Sequence, residues 1–188
     1  MKKLLSLLTV FCFLSFIGMA QSTLPPLDKS PMDMSYCPAN YPGLKAEGKP
    51  SADPLTARVI YSRPQKNGRV IFGGLVEYGK VWRMGANEST EIDFFKPVTI
   101  NGKTFDKGRY TLYCIPDSSK WTIIINTATD TWGAYEYDEK KDLLRVDVPV
   151  QKQTSSTEAL VMAFEKSATG ANLVIVWDDV KCALPIAF

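Results

Sequence analysis

The chain predicts an all-β fold: an antiparallel β-sandwich or jelly-roll-like single domain of about 8–10 short strands behind an extended N-terminal arm. Three observations carry that prediction. From Thr56 onward apolar residues recur with a period of two, the alternation of a half-buried strand. Asn, Asp, Gly and Pro punctuate those runs at short intervals. No long amphipathic helical pattern competes with them.

The first element is not part of the domain. Met1-Lys2-Lys3 is basic, residues 4–17 are apolar apart from Ser6, Thr9 and Ser15, and Gly18-Met19-Ala20 supplies small residues at both cleavage-recognition positions. The run is shorter than the roughly 20 apolar residues that a membrane-spanning helix needs. Residues 1–20 therefore read as a signal peptide cleaved after Ala20. The expected product is an exported chain, periplasmic or secreted, with no membrane attachment and without Cys12.

Residues 21–55 carry Pro25, Pro26, Pro31, Pro38, Pro42, Pro50 and Pro54 with little periodicity, which predicts an extended arm rather than a helix or a second domain. Met32, Met34, Tyr36, Tyr41 and Leu44 give the arm apolar groups, so part of it is expected to pack along the domain. Residues 56–188 form the sandwich.

Within it, Val59 and Tyr61 alternate with Arg58 and Ile60, and Ile92 and Phe94 alternate with Glu91 and Asp93. Val98 and Ile100 precede Asn101-Gly102, a strong hairpin signal, and Thr104-Phe105 follows it. Residues 109–115 make the next strand and end at Pro116. Residues 121–126 are apolar at consecutive positions Ile123, Ile124 and Ile125, which suits a strand covered on both faces. Four later strands are expected around Leu144, Val146 and Val148; Leu160, Met162 and Phe164; Leu173, Ile175 and Trp177; and Cys182, Leu184 and Ile186.

Composition narrows the chemistry. Removing residues 1–20 from the 188 leaves 168, enough for one domain with a substantial core, and takes away Lys2 and Lys3. The remaining 20 basic residues then balance the 20 acidic ones. A neutral chain makes no electrostatic case for nucleic acid or an anionic membrane as partner. Nothing in the pattern specifies an oligomeric state.

The chain has no histidine, which removes Ser-His-Asp and Cys-His catalysis, imidazole proton shuttling and every His-dependent metal site. No paired CxxC spacing, GxGxxG or P-loop appears. No metal and no cofactor is expected. Of the three mature cysteines, Cys114 beside Leu112 reads as a small buried apolar residue. The favoured bridge among the three possible pairings is Cys37 to Cys182, which would tie the arm to the last strand.

One stretch has no strand or helix period: residues 79–90, with Trp82, Arg83, Asn87 and Glu88 set among small residues. Together with Arg63, and with Trp132 and Tyr135 in a later loop, these side chains offer a planar cationic fork, an amide and aromatic faces. One reading is a non-enzymatic site for a small polar ligand or glycan. A second is a structural clasp in which Arg83 pairs with Glu88, Asn87 caps a turn and Trp82 fills the rim of the core. A third is a carboxylate-dependent hydrolase acting on carbohydrate, with Glu88 as acid/base and a partner among Glu91, Asp93, Asp130, Glu136, Asp138, Glu139 and Asp142. Trp121 and Trp177, on strands with apolar neighbours, read as core.

A resemblance adds to this. Tyr61-Ser62-Arg63-Pro64, Ile71-Phe72-Gly73-Gly74-Leu75-Val76 running into Tyr78-Gly79-Lys80-Val81-Trp82-Arg83, and Gly85-Ala86-Asn87-Glu88 form a specific order of motifs. Gly108-Arg109-Tyr110-Thr111-Leu112 and Trp121-Thr122-Ile123-Ile124 continue it. In that order they resemble the exported bacterial family known as domain of unknown function 2911, over residues 55–188. The resemblance implies a single exported β-domain and assigns it no activity.

Overall fold

The computed structural model describes residues 24–49 and 54–188. The signal peptide expected over residues 1–20 lies outside them. Among the described residues the chain forms ten strands in two antiparallel sheets. In chain order they are β1 (Met32–Cys37), β2 (Ala57–Ser62), β3 (Thr90–Phe94), β4 (Val98–Ile100) and β5 (Lys103–Phe105). Then follow β6 (Gly108–Pro116), β7 (Lys120–Asn126), β8 (Asp142–Pro149), β9 (Gln151–Ser167) and β10 (Gly170–Ala187). One sheet runs β1-β2-β3-β6-β7-β8 and the other β5-β4-β10-β9.

The predicted all-β sandwich is the observed architecture. Alternating residues of the first sheet, including Val59, Tyr61, Ile92, Phe94, Leu112 and Ile123, turn inward onto Val98, Leu160, Met162, Leu173, Ile175 and Leu184 of the second. Trp121 and Trp177 are buried in that core, as expected. Ile124 and Tyr113, which alternate away from it, are buried as well. Residues 127–138 account for part of this, because Tyr137 packs edge-on against Tyr113 at 5.1 Å. The Tyr113 hydroxyl also lies 3.1 Å from Thr131 Oγ1. The run of three isoleucines thus marks a strand covered on both faces. Asn101 and Gly102 both take positive φ, 47° and 76°, and join β4 to β5 as the predicted hairpin turn.

Three expectations need correction. The arm is neither wholly extended nor free of helix: Tyr41–Ala46 form a short helix, α1, with its proline in the first turn, where a missing N–H costs nothing. Its preceding segment is β1, an edge strand paired residue for residue with β2 from Met32↔Ser62 to Cys37↔Ala57. The two strands expected at the C-terminus are one, β10. Its pairing with β9 shifts register around Asp178, where φ is 54°, so the alternation resets without a turn.

The third correction concerns the cysteines. No disulfide joins Cys37 to Cys182; both are buried as thiols, as is Cys114. Hydrogen bonding anchors the arm instead, through the β1–β2 ladder, the Thr56 amide on the Cys37 carbonyl (2.8 Å) and the Arg63 amide on the Pro31 carbonyl (3.0 Å). Burial pushes the Cys182 thiol up to about 12 and Cys114 well above its ordinary value, with Cys182 adding a smaller electrostatic effect on Cys114.

Candidate functional site

Residues 63–89 connect β2 to β3 without a strand of their own, yet they are pinned down. Trp82 exchanges both backbone hydrogen bonds with Cys114 of β6, at 2.7 and 2.9 Å. Its indole is 8 % exposed, stacks on Trp177 at 6.0 Å and meets Trp121 edge-on at 5.8 Å. Indole Nε1 donates to the Gly85 carbonyl at 3.2 Å. Trp82 is therefore a core residue that fixes where the next residue starts.

That residue is Arg83. Met84 after it is fully buried and held at φ 59°, a left-handed backbone rare for an unbranched apolar residue. Thr90 secures the turn: its amide donates to the Arg83 carbonyl (3.1 Å) and its hydroxyl to the Met84 carbonyl (2.9 Å). With its backbone held from both sides, the Arg83 side chain lines a cavity of about 210 Å3 together with Arg69, Leu75, Trp82 and Trp177.

The charge balance there is unusual. Arg58 and Arg109 converge on Asp93, Arg63 pairs with Asp33, and Arg145 pairs with Asp142. Arg69 donates to the backbone carbonyls of Gln65 and Lys66. Arg83 is the one arginine of the six whose guanidinium has no acceptor among the described residues, and its Nε is fully buried and unmet. Burial pulls its pKa below the ordinary value, and the only opposing influence is the phenol of Tyr135. A buried, unmet N–H costs about 1–3 kcal/mol, so such groups generally have a partner that satisfies them.

A second loop docks beside this one. The Ser89 amide donates to the Thr131 carbonyl (3.0 Å) and the Gly133 amide to the Asn87 carbonyl (2.9 Å). The buried Ser89 hydroxyl donates to the Gly133 carbonyl and accepts from Thr131 Oγ1. Glu88 and Trp132 face each other as a backbone bridge. The Trp132 indole is 59 % exposed and Tyr135 86 % exposed.

Protein families give one match to this chain: residues 45–186 fit the family described as Protein of unknown function (DUF2911). The chain belongs to that family. The match contains every residue of both loops and leaves out β1. Among curated proteins and solved structures no match is found.

Within this DUF2911 domain the predicted site residues divide. Arg63 is structural: its guanidinium donates to the Leu160 carbonyl and to Asp33, both at 3.0 Å, lacing β9 and β1 to the end of β2. Trp82 is core. Asn87 takes φ 57° and contributes its carbonyl to the loop–loop contact. Glu88 is exposed and lines a different cavity, of about 240 Å3, with Glu91, Arg109 and Asp130. Arg83 and Glu88 form no ion pair among the described residues, so the predicted clasp between them is not made.

Arg69, Leu75 and Trp177 also line the Arg83 cavity; Trp177 reads from the sequence as core, which it is, and Arg69 and Leu75 do not read as site residues. Arg69 lies in the turn Lys66-Asn67-Gly68-Arg69, where nothing in the spacing points to it. A larger cavity, of about 580 Å3, opens beside Cys37, Lys96 and Phe188. There the Lys96 ammonium rests on the Phe188 ring at 4.4 Å, and no described lining residue carries an unmet buried donor. The chemistry favours the smaller site.

Proposed function

We propose that this domain is a non-enzymatic binding protein that takes a small ligand by a carboxylate or phosphate group, with Arg83 as the anchor. The observation that carries this reading is Arg83, a half-buried lining residue of a cavity, without a carboxylate partner and with its Nε unmet. A planar cationic fork is suited to a bidentate oxyanion, which would both satisfy the donor and neutralise the charge. Arg69 adds a second positive charge to the same wall. The signal-like residues 1–20 support placing the protein in the periplasm or outside the cell.

The hydrolase reading has less support. Its leading candidate, Glu88, is exposed rather than set in an apolar pocket. Its cavity neighbour Glu91 is committed to Arg109 (3.3 Å) and to the Asp130 amide (2.7 Å). The clasp reading lacks the Arg83–Glu88 contact it requires.

Thermal unfolding against a panel of carboxylates and inorganic phosphate tests the binding reading. A ligand at about 100 times its Kd adds about 2.7 kcal/mol of stability, which for a chain of this size raises Tm by roughly 5–10 °C. The expected result is such a shift in the wild type and none in Arg83→Met. No shift with any anion would overturn the proposal.

A further inference from the structure

A cavity of about 210 Å3 is smaller than the roughly 300–1,000 Å3 of sites that enclose a whole small molecule. It admits an ionic head group, and the remainder of the ligand must lie on the rim. The loop that carries Trp132 and Tyr135 is next along a chain of backbone bonds: the Thr90 amide holds the Arg83 carbonyl, and the Ser89 amide before it holds the Thr131 carbonyl. Single exposed aromatics are ordinary, but the backbone that carries these two is pinned. Their loop is fixed to residues 87–89 by four hydrogen bonds through Ser89, Thr131 and Gly133. Gly133 sits at φ 65°, with the Tyr135 ring laid so close that a Cβ there would come within 3.0 Å of it. The same phenol is near enough to act on Arg83 electrostatically.

An exposed indole and phenol on a pinned loop, docked next to the turn that holds an uncompensated guanidinium, match one ligand chemistry in particular. A sugar ring presents an apolar C–H face that lies flat on an aromatic side chain, and a ring carboxylate presents two oxygens to the arginine fork. A neutral glycan would leave Arg83 unmet, and free phosphate would leave the aromatic surface unused. Resting on the Arg83 anchor proposed above, we infer that the ligand is an acidic oligosaccharide of uronic-acid type. One carboxylate sits on Arg83, and a neighbouring ring stacks on Trp132 and Tyr135.

Isothermal titration of the purified protein tests this with trimers of galacturonic and mannuronic acid, their neutral methyl esters, acetate and inorganic phosphate. At least one acidic trimer is expected to bind, its methyl ester about tenfold or more weaker. Arg83→Met should weaken the trimer by a similar factor. Trp132→Ala and Tyr135→Ala, truncations of exposed side chains, should weaken the trimer about tenfold and leave acetate and phosphate binding unchanged. Phosphate or acetate binding as tightly as the trimers, lost in Arg83→Met but untouched by Trp132→Ala, would overturn the sugar and leave the anchor standing. Equal binding of trimer and methyl ester, indifferent to Arg83→Met, would overturn both. Binding by none of the probes would do the same.

Discussion

Truncating Arg63 to alanine removes donors to the Leu160 carbonyl and to Asp33, and leaves a carbonyl of the β9 backbone without that partner. The pair with Asp33 is over a third exposed and contributes little, so most of the loss comes from the bond to Leu160. Urea unfolding should show a loss of about 1–2 kcal/mol. Arg83→Met should behave oppositely in the absence of ligand. It deletes a buried donor that nothing satisfies, and stability should stay level or rise by up to about 1 kcal/mol. A loss larger than that would assign Arg83 a structural partner. The sequence shows two arginines in similar turns, and their difference was not legible there. Whether a guanidinium is satisfied depends on what lies across the fold: Asp33 is 30 positions from Arg63 and Leu160 is 97. What was legible was the presence of a cationic and aromatic loop, and Arg83 remains at its centre.

Among the elements, the two loops around Asn87 and Gly133 behave as a unit because one buried hydroxyl stands between them. Ser89 donates to the Gly133 carbonyl, accepts from Thr131 Oγ1 and is only 6 % exposed. Ser89→Ala leaves both groups without that partner in a buried setting, at a cost of about 1–3 kcal/mol. The loss should be local as well as global: the Gly133 amide, bonded to the Asn87 carbonyl, should exchange with solvent faster than amides of β6 and β7. Hydrogen exchange read by mass spectrometry distinguishes this from uniform destabilisation, and unchanged protection at Gly133 would show the loops to be independent. Strands and their turns were readable because period two and Asn101-Gly102 are local signals. The docking of one loop on another is not a local signal. Neither is the continuity of β10, where the register shift around Asp178 imitates a turn in the alternation.

For the whole molecule, the sandwich hides groups that ionise only at alkaline pH, and this sets the direction of its pH dependence. Burial raises Cys182 from an ordinary 9.0 to about 12. Burial, followed by the hydrogen bond to Asp142, raises Tyr137 from 10.0 to about 12. Burial raises Cys114 in the same direction. In each case the folded state holds its proton more tightly than the unfolded chain does. The contribution to stability is therefore complete below the unfolded pKa, near pH 9 for the thiols, and is lost as pH rises toward 12. Urea unfolding at several pH values should give a plateau that ends near pH 9, followed by a decline. In Cys182→Ala the decline should be shallower, because one fewer proton separates the two states. This also bears on the corrected disulfide: a Cys182 committed to a bridge with Cys37 would have no thiol to titrate. Counting thiols in the denatured protein decides between them: the same count before and after reduction shows buried thiols, whereas a gain of two on reduction shows a bond. The fold class could be read from composition and period because every strand repeats the same signal, but the state of a cysteine depends on which strands meet across the core.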